Sequence, residues 1–193
     1  MKSIIIAIMT ASIAFTACNS GNNKSAENNS ADNNQTPTTT LSSNPTGEAT
    51  PIKGIVNGYL NLKNALANDN SQAAANAANE FLEAMNKIDK SSLTEGQKKV
   101  YADVADDAKE MAEHISKSAD KIDHQREHFD MLSNDIYDMV KAFGTGQTLY
   151  RDFCPMYNDN KGATWLSEVK LIRNPYLGKE MPTCGEVKEE IKQ

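Results

Sequence analysis

The sequence lacks the short motifs on which common classes of enzyme depend. It has no His-Glu-x-x-His zinc signature and no glycine-rich loop that would cradle a phosphate. Cys154 and His128 match a nucleophile pair by residue type only, because no motif supplies a third group to orient the histidine. No oxyanion-type glycine pattern surrounds Cys154 either. We therefore expect that this protein is not an enzyme.

An excess of positive charge is also missing. The chain has 20 Lys and Arg residues against 26 Asp and Glu residues, which gives a formal net charge of −6. Binding to a phosphate backbone requires a basic face on the protein. Nucleic acid is therefore not an expected partner.

After the first 17 residues, no apolar run is long enough to cross a membrane. The N-terminus joins a short basic start to an apolar stretch that is too short to span a bilayer as a mature helix. This layout is typical of a secretory signal peptide, which we place at residues 1–17. The dipeptide Ala17-Cys18 at its end is typical of a lipobox and predicts that Cys18 is lipidated. The alternative is an ordinary cleaved signal followed by an incidental cysteine.

Residues 18–50 contain few apolar side chains and are rich in Asn, Ser, Thr, Ala and Pro. Such a segment cannot bury enough surface to offset the entropy of ordering, so we expect a disordered tether. The expected protein is an exported lipoprotein that is anchored to a membrane through Cys18. Asn19 stands where an Asp would act as an inner-membrane retention signal, which favours the outer membrane facing the periplasm. The folded domain is expected at residues 51–193.

Apolar residues recur every three to four positions between residues 52 and 143, which predicts four helices. Thr94 and Gln97 indicate a capping box at the start of the third helix, and Gly144 indicates the end of the fourth. Short connections then predict an antiparallel four-helix bundle, an all-α fold. The segment between residues 116 and 120 contains no Gly or Pro, so a single long helix in place of the third and fourth is the alternative.

Beyond Gly144 the turn signals are too dense for long elements. We expect an irregular cap, carrying Cys154 and Cys184, on one end of the bundle. Its expected features are a buried Trp165, the only tryptophan of the chain, and a short helix that begins at Glu186.

Two pairs of sulfur residues frame this segment, Cys154 with Met156 and Met181 with Cys184. Thiolates and thioethers are soft ligands, which favour Cu(I) over hard cations. The same two cysteines could instead close a disulfide around a loop of roughly 30 residues, because export leads to an oxidising-permissive compartment. The sequence is compatible with both a soft-metal site and a disulfide.

The three histidines lie close to the boundary between the third and fourth helices. His124 and His128 are spaced i and i+4, so that one helix face presents both imidazoles to a single ion. If the chain reverses near Ser118, His114 approaches them across the hairpin. The alternative is that these histidines are solvated surface residues. The methionines in the helices, namely Met85, Met111, Met131 and Met139, are interpreted as core residues.

Several motifs together resemble a known family of exported domains. They are His124-Gln-Arg-Glu-His128-Phe129, Tyr150-Arg-Asp-Phe-Cys154-Pro-Met156, Gly162-Ala-Thr-Trp165-Leu-Ser167, Asn174-Pro-Tyr176-Leu-Gly178 and Met181-Pro-Thr-Cys184-Gly185. That family occurs as lipoproteins and as C-terminal extensions of periplasmic adaptor subunits of heavy-metal (copper and silver) efflux pumps. The resemblance implies an association with copper handling and partners in a heavy-metal efflux system.

Combined with this resemblance, the residues predict a soft-metal site in which His124 and His128 join sulfur from the C-terminal segment. Copper is the expected ion, with silver or zinc less favoured. The competing hypothesis is a disulfide-stapled structural or protein-interaction module without metal. The candidate ligands are His114, His124, His128, Cys154, Met156, Met181 and Cys184.

Overall fold

The computed structural model describes residues 50–192. The predicted signal peptide, the lipidation site at Cys18 and all but the last residue of the predicted tether lie outside the described residues. Within them, none of the helices combines the length and the apolar character that crossing a membrane requires.

Four long helices form in the part of the chain that the structure describes. They are α1 at Lys53–Ala67, α2 at Ser71–Asn86, α3 at Glu95–Ser116 and α4 at Ile122–Phe143. A single turn of 3-10 helix at Lys90–Ser92 lies between α2 and α3. Consecutive helices pack against each other and are joined by short connections, so they run antiparallel. The helical part of the prediction is confirmed, and α3 and α4 are two separate helices.

The helix ends follow from local side-chain chemistry. The Asn70 side chain accepts a hydrogen bond from the Ala73 N–H at the start of α2. Thr94 and Gln97 form the predicted capping box at the start of α3. Gly144 ends α4 with a φ of 73°, a conformation that glycine adopts without steric cost.

The all-α prediction is wrong for the C-terminal segment, which contains a three-stranded antiparallel sheet. Strands β1 at Leu149–Cys154, β2 at Ala163–Ser167 and β3 at Glu186–Ile191 are ordered β2-β1-β3. The helix expected from Glu186 is strand β3, whose residues pair with β1 from Phe153 to Leu149. Its side chains alternate between more and less exposed positions, as in a strand with one covered face.

The sheet lies along the side of the bundle, and the expected position at one end is wrong. The Leu166 N–H in β2 donates to the Tyr59 hydroxyl, and that hydroxyl also contacts the Ser133 hydroxyl at 2.8 Å. Tyr59 and Ser133 lie near the middle of α1 and α4. Trp165 is buried, as predicted, with 1% of its surface exposed.

Candidate metal centre

The α3–α4 hairpin brings all three histidines together. His114 lies in the last turn of α3, and His124 and His128 lie in the first two turns of α4. One ligand nitrogen from each ring lies within 4.8 Å of those of the other two. We call these three residues the histidine group. It is the only group of three or more His, Cys, Asp or Glu side chains in residues 50–192 with metal-binding spacing.

The spacing of the ring nitrogens suits one ion. His128 Nε2 lies 3.1 Å from His124 Nε2. Two nitrogens bound to one tetrahedral ion, each at about 2.0 Å, are about 3.3 Å apart. The His114 ring stacks on the His128 ring with their centroids 4.4 Å apart, and the His124 ring meets the His128 ring edge-on. His124 and His128 therefore already have the spacing that one ion requires, and the stacked His114 ring would have to rotate to direct its nitrogen to the same point.

A thioether borders the histidine group. Met111 Sδ lies 3.2 Å from His128 Nδ1. Met111 precedes His114 by three residues, so both occupy the same face of α3. Its side chain is half-buried and packs against the core. Met131, which was also interpreted as a core residue, is 47% exposed, so that interpretation is wrong. Three imidazoles and one soft sulfur are thus assembled from two helices.

Carboxylates lie behind two of the rings. Glu127 Oε2 is 3.1 Å from His124 Nδ1, and Glu110 Oε1 is 3.8 Å from His114 Nε2. A carboxylate that accepts the Nδ1 proton fixes the tautomer in which Nε2 carries the free lone pair. His124 therefore presents an Nε2 ligand toward His128.

The lowered pKa of His128 favours the neutral form of the ring that metal ions require. Its burial lowers its pKa, and repulsion from His114 and His124 lowers that pKa further. His114 is exposed whereas His124 and His128 are half-buried. An ion can therefore reach the histidine group directly from solvent.

A buried side-chain amide holds in place the backbone that carries the histidines. Gln125 is fully buried, and its Nε2 donates to the Ile115 carbonyl and to the Ser71 carbonyl. These bonds tie the start of α4 to the end of α3 and to the start of α2. The hairpin geometry is therefore set before any ligand arrives.

The two cysteines form a second, separate group. Cys154 Sγ and Cys184 Sγ are 3.2 Å apart, and both residues are free thiols. Cys154 is buried at the end of β1, and Cys184 is half-buried just before β3. Burial and the neighbouring Cys154 thiol raise the pKa of Cys184, while a hydrogen bond from the Met156 backbone N–H lowers it.

The seven predicted ligands therefore fall into two groups. Neither cysteine belongs to the set of mutually close atoms formed by the histidine group. Met156 and Met181 flank the thiols in sequence and are exposed, at 50% and 39% respectively. The structure places the histidines close to one another and the cysteines close to each other. The sequence had instead predicted that His124 and His128 share a site with sulfur from the C-terminal segment.

One comparison with known proteins finds a match, and the match covers the helical part of the chain. No curated protein matches this chain, and no solved structure does. Residues 55–148 match a family described as "Protein of unknown function (DUF3347)". This range contains nearly all of the four helices, the histidine group and Met111, and it ends just before β1. The helical bundle with its histidine group thus matches a family of domains whose function is unknown.

Proposed function

We propose that this domain binds one Cu(I) ion through His114, His124 and His128. The observation that supports this is the convergence of three imidazoles, with mutual distances within 4.8 Å, on one helical hairpin. Imidazole suits copper and zinc, whereas hard cations such as Ca²⁺ take oxygen ligands. Met111 Sδ contacts His128 Nδ1, whereas His128 Nε2 faces His124, so the sulfur would reach the ion once the His128 ring turns to present Nδ1. A thioether is a soft ligand and would then favour Cu(I). Zinc and silver are less favoured.

The proposed setting is the periplasm. In this proposal the protein is a lipoprotein anchored through Cys18 to the outer membrane, and it serves as an accessory to heavy-metal efflux or resistance without catalysing a reaction. The signal-type N-terminus and the resemblance to domains fused to efflux adaptors support this part of the proposal. The acidic chain, with a net charge of −6, is compatible with a cationic ligand.

A competition titration with a Cu(I) chelator under anaerobic conditions tests the histidine group. We use the full chain carrying Cys18→Ser, Cys154→Ala and Cys184→Ala, so that no thiol competes with the histidines for Cu(I). The double substitution His124→Ala with His128→Ala should weaken binding by more than about 100-fold, beyond the usual effect of losing an outer-shell group. Met139→Leu, in the buried core of α4, is the matched control and should change nothing. Equal affinity of the unsubstituted chain and the double variant would refute the proposal.

The identity of the ion can be tested at Met111. Met111→Leu keeps the size and apolar character of the side chain but removes the sulfur. We expect weaker Cu(I) binding with little change in Zn²⁺ binding, because three imidazoles suffice for zinc. A parallel loss of both affinities would show that Met111 acts through packing, and zinc binding tighter than Cu(I) binding would reject copper as the favoured ion.

One observation favours a second candidate function. The contact of 3.2 Å between the Cys154 and Cys184 sulfurs is suited to a disulfide that staples β1 to the segment before β3. The protein would then be a structural or protein-interaction module without metal. A thiol count and a metal analysis on the purified protein separate the candidates. A quantitative disulfide together with no copper bound after anaerobic reconstitution would favour the structural module.

A further inference from the structure

We infer that Cys154 and Cys184 form a second Cu(I) site of the two-thiolate type, separate from the histidine group. This inference extends the proposed copper binding to another part of the molecule and does not depend on the histidines. It starts from the two free sulfurs, which face each other at 3.2 Å between segments 30 residues apart.

The Cys154 side of the pair is fixed by the sheet. Cys154 is the last residue of β1 and lies opposite Ala163 of β2. Its neighbour Phe153 pairs with Glu186, the first residue of β3. Since Cys184 precedes Glu186 by two residues, both cysteines lie at the same end of adjacent strands. Cys154 is fully buried, so its sulfur is shielded from bulk water.

The Cys184 side is held by the loop before β3. Buried Asn174 donates from Nδ2 to the Cys184 carbonyl at 2.7 Å, and its Oδ1 accepts from the Tyr176 and Leu177 N–H groups. Gly185 has a φ of 141°, and a Cβ at this position would lie 2.9 Å from the Phe153 carbonyl oxygen. Glycine at residue 185 therefore lets the Cys184 segment approach β1 closely.

The chemistry of the pair suits a soft monovalent ion. Two thiols bind one Cu(I) as a bis-thiolate anion and release two protons, so no electron is transferred. Met156 and Met181 lie within three residues of the thiols in sequence and are exposed, so the two thiolates are the ligands on which this inference rests.

Copper stoichiometry distinguishes this site from the histidine group. The full chain carrying Cys18→Ser is reduced and titrated anaerobically with Cu(I). We expect two ions per chain, together with an ultraviolet thiolate-to-copper charge-transfer band. Replacing His114, His124 and His128 by Ala should leave one ion and preserve the band. Replacing both cysteines by Ala should leave one ion and abolish the band.

Two further variants test whether a loss of copper binding results from unfolding of the protein. Cys184→Ala, at the half-exposed position, should abolish the band while circular dichroism stays unchanged. Met139→Leu should keep both ions and the band.

Three outcomes would overturn the inference. The first is a charge-transfer band that is absent from the reduced chain. The second is a stoichiometry that the cysteine substitutions leave unchanged. The third is a Cys154–Cys184 disulfide that resists reduction until the protein unfolds. Failure of the histidine group alone would instead leave one ion, bound to the cysteine pair with its band intact.

Discussion

Asp152 is a buried carboxylic acid without a hydrogen-bond partner among the described residues. It lies in the central strand β1 with none of its surface exposed, and neither side-chain oxygen accepts a hydrogen bond. Burial raises its pKa to about 7, although the positive charge of Lys63 opposes this shift. Lys63 itself is paired with Glu168 at 2.8 Å and so is not available as a direct partner.

This residue should make stability depend on pH. Since the folded-state pKa is above the value of about 3.9 for an unfolded aspartate, the folded state binds more protons between these values. The free energy of unfolding should therefore fall as pH rises from about 4 to about 7 and then level off. Asp152→Asn should remove about 2–3 kcal/mol of the decline between pH 5 and pH 8. Urea denaturation of the metal-free chain and the variant at both pH values measures this difference, and parallel pH profiles would contradict it.

The sequence predicted the clustering of the histidines but not the Met111 sulfur beside them. The i, i+4 spacing of His124 and His128 is a local pattern, and a chain reversal near Ser118 sufficed to bring His114 close. Met111 lacked such a local signal, because an isolated methionine on an amphipathic helix most often packs in a core. Its position three residues before His114 was the available clue.

Helices α1 and α2 approach each other closely because Gly58 has no side chain. A Cβ at residue 58 would lie 2.8 Å from the Phe81 Cα, and backbone cannot move away as a flexible side chain can. Gly58→Ala should therefore lower the free energy of unfolding by about 1–3 kcal/mol, the usual cost of overpacking. Gly96→Ala in α3 is the matched control, because a Cβ there meets nothing within 4 Å.

The control should leave stability unchanged or raise it by up to about 1 kcal/mol, since alanine reduces the entropy of the unfolded chain. Chemical denaturation followed by circular dichroism measures both variants. Equal stability of Gly58→Ala and Gly96→Ala would show that the two helices can separate at this position without cost.

The difference between the well-predicted helices and the missed strands has a physical cause. Each long helix repeats its apolar stripe over at least 15 residues, so the period is unambiguous. The strands have only five or six residues, and strand pairing depends on partners that are distant in sequence. In Glu186–Ile191 the charged residues also match an exposed helix, and only its pairing with β1 distinguishes a strand. A register shift between Arg151 and Asp152 further weakens any simple alternation in β1.

Over the whole folded part, Arg126 connects the bundle to the C-terminal segment. Its guanidinium donates to the Pro175 carbonyl, to the Leu66 carbonyl and to the Asp69 carboxylate at 2.6 Å. Asp69 also accepts a hydrogen bond from the Lys179 N–H, so one ion pair joins α4, the α1–α2 connection and the segment before β3. The Arg126 side chain is only 10% exposed, whereas the Asp69 side chain is 34% exposed, so the pair is partly open to solvent.

Removing this connection should destabilise the entire domain. Arg126→Ala leaves Asp69 without its cation and the Pro175 carbonyl without a donor, so we expect a loss of about 2–3 kcal/mol. Circular dichroism and Trp165 fluorescence should report the same lower midpoint, because helices and sheet share this contact. Lys87→Ala, which removes an exposed pair with Glu83, should cost about 0.5 kcal/mol or less. An Arg126→Ala midpoint equal to that of Lys87→Ala would show that the contact does not link the two parts.

The whole protein, including residues outside the described range, is expected to attach to a membrane through Cys18. The apolar run that ends in Ala17-Cys18 and the polar segment after it motivate this prediction. Cys18→Ser removes the thiol that would carry the lipid, so lipid labelling should be lost. The protein should then be released from the membrane or remain as an unprocessed precursor. Asn19→Asp is the matched variant: it keeps the lipid but should move the protein to the inner membrane. Fractionation with labelled fatty acid measures both variants, and lipid labelling of Cys18→Ser would disprove anchoring at this residue.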